Sequence, residues 1–180
     1  MSNPLKIIIS GGPCSGKTTL IQLLESSGYS CIAESARIVI REQLDAGTDL
    51  VPWLNLQGYS DLVFDHICTE AEKPLTATSF FDRSSVDVVA YLTHGGIAVS
   101  EEITRRTKAI GYHPVMFFAP FWADIYQTDA ERKESPEEAQ QLSQTLYAAY
   151  QSFGFTIITL PLIAPRERLQ FILQWLKENS

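Results

Sequence analysis

Cysteine is scarce in this chain and follows no pattern. Cys14, Cys31 and Cys68 are the only three in 180 residues. Neither paired nor metal-type spacing joins them, which excludes a disulfide framework and points to a reducing compartment. Histidine is equally sparse: His66, His94 and His113 are scattered, so no metal site is assigned to them. Positive charge is in the minority, with 14 Lys and Arg against 21 Asp and Glu, for a net charge of −7. That balance, with a pI near 4.9, argues against general nucleic-acid binding, although local basic sites stay compatible with it. No run of 18 or more apolar residues occurs, and no basic stretch leads into an apolar one at the N-terminus. A soluble, cytoplasmic protein without a membrane partner is the expectation. No linker, repeat or low-complexity segment divides the sequence. With 45% hydrophobic residues, one domain over residues 1–180 is expected.

Against this background one stretch carries chemistry. Residues 11–18 read Gly11-Gly12-Pro13-Cys14-Ser15-Gly16-Lys17-Thr18, a full G-x-x-x-x-G-K-[ST] phosphate loop. The apolar run 6–10 before it reads as a buried strand, and residues 19–25 after it read as the first turns of a helix. Strand, glycine turn and helix form the context that this motif requires. Glycines let successive N–H groups curl around phosphate oxygens, and the helix N-terminus adds partial positive charge. The loop through Thr19 is therefore the predicted nucleotide cradle. Lys17 would reach the terminal phosphates, and the Thr18 hydroxyl would hold Mg²⁺. Cys14 reads as a plain small residue within it.

Strand and helix signals alternate along the rest of the chain, which predicts an α/β layer fold with a mostly parallel sheet. Strands are expected near 6–10, 29–33, 78–82, 115–119 and 156–160. Helices are expected near 16–27, 34–46, 54–73, 84–94, 101–110, 136–153 and 165–178. Gly28, Gly47 and Gly154 read as helix stops, and Ser135-Pro136 as a helix start. The last helix carries Leu169, Ile172, Leu173 and Leu176 on one face, which reads as core packing. Residues 120–135 read as a polar, irregular connection that could close as a lid.

In an open α/β sheet, functional groups belong at the carboxyl ends of strands. Glu34 follows the second strand and Asp82 ends the third. Asp82 suits the magnesium shell, and Arg83 suits the charge on a transferred phosphoryl group. Ser84 and Asp87 resemble a capping box, with Asp an imperfect third-position partner. Glu34 could accept a proton from an acceptor hydroxyl or orient it. The competing reading pairs it with Arg37, which itself reads as structural. Arg132, with Lys133 beside it, is the candidate cation of the lid. Trp53, Tyr59, Phe64 and Tyr91 could line an acceptor pocket, but aromatics so dispersed read as core.

In this order, these residues resemble a family of small P-loop proteins labelled AAA, which includes the kinase domain of bacterial nicotinamide riboside kinases. The resemblance covers nearly the whole chain. It rests on the loop, on Glu34-Ser35-Ala36-Arg37 and on Phe81-Asp82-Arg83-Ser84 with Asp87 and Tyr91. It also includes Asp129-x-x-Arg132 before Glu134-Ser135-Pro136, and the helix from Arg166 to Leu173. The chain is also similar to deoxynucleoside kinases, where a Glu after strand two acts as base and a Glu-Arg-Ser triplet follows strand three. Cys14, Ser84 and Asp82 depart from the usual residues of these families. Both likenesses imply a P-loop NTPase three-layer sandwich with five parallel strands in the order 2-3-1-4-5. They also imply transfer of the ATP γ-phosphate to a small, nucleoside-like acceptor. The alternative expectation is an ATPase or nucleotide-dependent switch acting on a protein partner. A Ras-type GTPase lacks support because no Asn-Lys-x-Asp sequence occurs. A polynucleotide 5′-kinase is disfavoured by the acidic charge.

Overall fold

The computed structural model describes residues 4–126 and 135–179. Strand β1 (Lys6–Gly11) leads through the glycine turn into α1 (Lys17–Ser26). There follow β2 (Ser30–Ile32), α2 (Ser35–Ala46), α3 (Leu56–Glu72), β3 (Ser79–Asp82), α4 (Ser85–His94) and α5 (Glu101–Ala109). Then come β4 (Val115–Ala119), α6 (Pro136–Ser152), β5 (Thr156–Thr159) and α7 (Pro165–Asn179). The strands pair in parallel in the order β2-β3-β1-β4-β5. This is the predicted kinase-type order.

Side-chain parity along the strands builds the two outer layers. Ile7, Ile9, Phe80, Phe117 and Ala119 pack with Leu20 and Leu24 of α1 and with Leu169, Ile172 and Leu176 of α7. Ile8, Met116 and Phe118, one residue out of phase, pack with Val86 and Ala90 of α4 and with Leu142 and Leu146 of α6. The strands are apolar on both faces because both are covered. A third cluster joins α2 through α5 around Val39, Phe64, Ile67, Leu92 and Ile103.

Most expected elements are found with ends shifted by one or two residues. The first helix starts at Lys17, because Gly16 sits at φ 77°, a left-handed conformation outside the helix. The connection after β4 was expected to be irregular, yet it contains a short 3-10 turn at Ala123–Ile125. Residues 127–134 of the expected lid, including Asp129, Arg132, Lys133 and Glu134, lie outside the described residues. Tyr59 and Phe64 are core, but Trp53 is 63% exposed, so dispersion along the chain misjudged that ring. No helix among the described residues is long and apolar enough to cross a membrane.

Candidate active site

The loop between β1 and α1 takes its shape from a few backbone positions. A Cβ on Gly11 would stand 2.0 Å from the Ala119 carbonyl oxygen. Glycine is required there by the neighbouring strand, independently of any phosphate. Cys14, at φ 52°, holds a left-handed conformation that costs a side-chain-bearing residue about 1 kcal/mol or more. Residues 12–19 line a cavity of about 220 Å³, together with Glu34, Arg37, Arg83 and Ile125. Lys17 is buried beneath it, while Thr18 and Thr19 are exposed.

Sheet order brings the acidic strand ends to this loop. β3 lies next to β1, with Ile9 opposite Asp82, and β2 lies on the far side of β3. Glu34 leaves β2 as the N-cap residue of α2. Arg83 leaves β3 in a left-handed turn, φ 72°, pinned by its N–H donating to the Ile9 carbonyl at 3.0 Å. The turn directs its guanidinium across the site. Nε donates to Glu34 Oε1 at 2.7 Å, and Nη1 donates to Asp87 Oδ1 at 3.1 Å and to the Gly11 carbonyl at 3.2 Å. The Tyr91 ring lies 5.7 Å beneath. Although burial works against it, Tyr91, Glu34 and Asp87 keep Arg83 firmly protonated.

Glu34 accepts a second cation, with Arg37 Nε at 3.1 Å. The i,i+3 pair anticipated from sequence exists, but the shorter bond is to Arg83. Burial raises the Glu34 pKa, yet Arg83, Lys17 and Arg37 outweigh it and bring the carboxyl down to about 2. Lys17 shifts in the opposite sense for a cation. Burial and the Arg83 charge lower it to about 8, against the pull of Asp82, Glu34 and Asp87. No ion pair joins Lys17 to a described carboxylate. Burial also raises Asp82, with Lys17 opposing, and Asp82 Oδ1 is buried without a hydrogen-bond partner. Lys17, Glu34, Asp82 and Arg83 are therefore electrostatic neighbours.

A buried carboxylate oxygen with no described hydrogen-bond partner fits a cation ligand. Among the described residues no cluster of three or more His, Cys, Asp or Glu could cage a metal. Mg²⁺ takes one or two protein oxygens and completes its shell from water and phosphate. Thr18, on the cavity lining, and Asp82, an electrostatic neighbour of Lys17, are residues that could hold it.

Three residues escaped the sequence reading. Asp87 does cap α4, since Ser84 N–H donates to its Oδ2 at 2.9 Å. Beyond that, Oδ1 also receives the Ser10 hydroxyl at 2.6 Å, and the Tyr150 hydroxyl donates to Oδ2. Ser84 Oγ lies 2.8 Å from that hydroxyl. Because the Tyr150 proton goes to Asp87, Ser84 donates to Tyr150. Ser10 and Tyr150 read as strand and helix-stripe residues in the sequence; only parity on β1 could have placed Ser10 on the α4 face. The third residue is Arg168, whose Nη1 donates to the Ser15 carbonyl at 2.6 Å. Its nearest sequence signal is an Arg set directly beside Leu169 on an otherwise apolar helix face.

Known proteins share this outline. Among curated proteins none matches the chain. Deoxyadenosine kinase from M. mycoides, solved with products bound, superposes with a TM-score of 0.69 at 12% identity, over 98% of this chain and 100% of that one. Shikimate kinase from Acinetobacter baumannii, solved with shikimate, gives 0.63 at 15%, over 98% and 95%. NadR protein in complex with NR gives 0.64 at 16%, over 97% of this chain and 51% of that one. Likenesses at these identities establish the P-loop kinase-type fold. The AAA domain family matches residues 6–168, and the chain belongs to it.

Proposed function

We propose that this AAA-family chain acts as one domain that transfers the γ-phosphoryl group of Mg·ATP to a small hydroxyl acceptor of nucleoside-like kind. The observation that carries this reading is the phosphate-loop cavity with a carboxylate and an arginine at its wall. Residues 12–19, Glu34 and Arg83 line one space. Solved structures of the same fold include kinases described as acting on deoxyadenosine and shikimate.

Each residue has a part that follows from its environment. The loop N–H groups hold the polyphosphate, and Lys17 supplies charge from a buried position where little water screens it. Thr18 and Asp82 would hold Mg²⁺, which neutralises charge on the phosphate oxygens when bound. Phosphoryl transfer passes through a loose transition state, so positioning outweighs proton abstraction. Glu34 suits that demand. A carboxylate held at about 2 by burial-opposed contacts with Arg83, Lys17 and Arg37 is a weak base but a well-fixed acceptor for an incoming hydroxyl. Arg83 both fixes Glu34 and places positive charge beside the loop.

The test is ADP formation from Mg·ATP, with and without a panel of nucleosides, nicotinamide riboside and small alcohols. Acceptor-dependent ADP with a phosphorylated product is the expected result. Slow hydrolysis indifferent to every acceptor would replace this reading with an ATPase or a nucleotide-dependent switch on a protein partner.

A further inference from the structure

Arg168 is the bulkiest side chain that is essentially buried, at 1% exposure. It stands on α7, against the phosphate loop and outside the cavity lining. Nε donates to the Pro161 carbonyl at 2.7 Å and Nη1 to the Ser15 carbonyl at 2.6 Å. The guanidinium lies 4.8 Å over the Trp122 ring. Nη2 is buried with no partner among the described residues. No ion pair joins Arg168 to a described carboxylate, and burial pulls its pKa downward.

A buried cation without a counter-ion is costly, and a fold keeps one when something else answers the charge. Two carbonyl bonds satisfy part of the fork but neutralise nothing. The nearest place for an anion is the loop itself. A Cβ on Gly16 would lie 3.2 Å from Nη1, so the guanidinium rests against the peptide that joins Ser15 to Gly16. That peptide accepts at Ser15 O, and its N–H belongs to Gly16, within the cradle. Hydrogen bonding at one end of an amide strengthens donation at the other. A positive charge against the loop also adds to the potential felt by a phosphate held there.

We infer that Arg168 is a positioning residue for polyphosphate: it fixes the Ser15–Gly16 peptide and leaves a positive charge for a bound polyphosphate to answer. The inference rests on the nucleotide reading above and adds a residue to it. Arg168 does not touch the ligand itself; it acts through the loop.

Full-length wild type, Arg168→Gln and Arg168→Lys should be titrated calorimetrically with ADP, ATP and inorganic tripolyphosphate, well below each protein's unfolding temperature. The Gln variant keeps donors but loses the charge. It should bind ATP and tripolyphosphate about tenfold more weakly, and ADP less affected, as an interaction between charges requires. The Lys variant should recover most of that loss. Unchanged affinity in Arg168→Gln overturns the inference and assigns Arg168 to structure alone. So does a loss confined to ADP and ATP, which would place the contact at the nucleoside end. If Arg168→Gln does not fold, Arg168→Lys decides: affinity within about threefold of wild type supports the role of charge, and a loss of tenfold or more overturns it. Failure of the wild type to bind all three ligands is a different result, because it removes the nucleotide reading and this inference with it.

Discussion

Two polar clusters lie within a few residues of each other at the carboxyl ends of β1 and β3, and they follow opposite rules. Around Asp87 the bonding is closed. Ser10, Arg83, the Ser84 N–H and Tyr150 all donate to its carboxylate. Around the phosphate loop it is open. Asp82 Oδ1, Ser15 Oγ and Arg168 Nη2 are buried without partners among the described residues, and Lys17 is held near 8 with no described carboxylate paired to it. A closed network fixes geometry, and an open one leaves charge and polar atoms without described protein partners. Arg83 joins the two, since it bonds both Asp87 and Glu34.

The contrast fails most visibly if Lys17 proves structural. Lys17→Ala should lower phosphoryl transfer by about a thousandfold or more without lowering the unfolding midpoint. The sign follows from the shift. The folded pKa near 8 lies below the ordinary 10.5, so the unfolded chain takes the proton more readily. Burying the charge therefore costs stability fully below about pH 8, and the cost fades as pH rises towards 10.5. Thermal unfolding beside an ADP assay checks both halves; a clear drop in midpoint would move Lys17 into the closed class.

Asp87→Ala should do the reverse and strike the fold first. Removing a buried carboxylate that serves Arg83, Ser10 and Tyr150 should cost about 3–4 kcal/mol, read by urea denaturation. Near-native stability in that variant would show the closed network to be dispensable.

Glu34→Gln should sharpen the comparison at the junction. It should cut kcat by about a hundredfold and leave ATP affinity within a few fold. Because Glu34 is held at about 2 rather than 4.5, its contribution to stability is present above about pH 4.5 and lost as pH falls towards 2. The wild-type rate profile should therefore show no acid limb from Glu34 near neutrality. A limb near pH 6 that vanishes in the variant would make Glu34 a general base. The smallest effect is expected from Tyr150→Phe, which removes one hydroxyl from the closed network and should cost about 1–2 kcal/mol. ATP affinity should hold. A larger change in ATP affinity than in stability would show that the two clusters are not separate.

What was legible in the sequence was local. The loop declares itself because its chemistry resides in contiguous backbone N–H groups, and the apolar runs around it follow from strands covered on both faces. Glu34 and Asp82 were legible through their place at strand ends. Asp87 was legible only as a cap, because a capping box is a four-residue pattern, whereas its bonds to Ser10 and Tyr150 span 77 and 63 residues. Tyr150 looked like one more member of an apolar helix stripe, since spacing records the ring and not where its hydroxyl finds a partner. Arg168 gave less still: it bonds Ser15 from 153 residues away.

The sequence by itself thus determined the α/β alternation, the phosphate loop and the acids that end or follow β2 and β3, all of which depend on short-range backbone geometry and periodic burial. Tertiary structure alone decided which of those charges are bonded and which stand open. Hydrogen-bond closure and desolvation depend on groups brought together from distant parts of the chain, and parallel strand order, rather than any local pattern, sets that meeting.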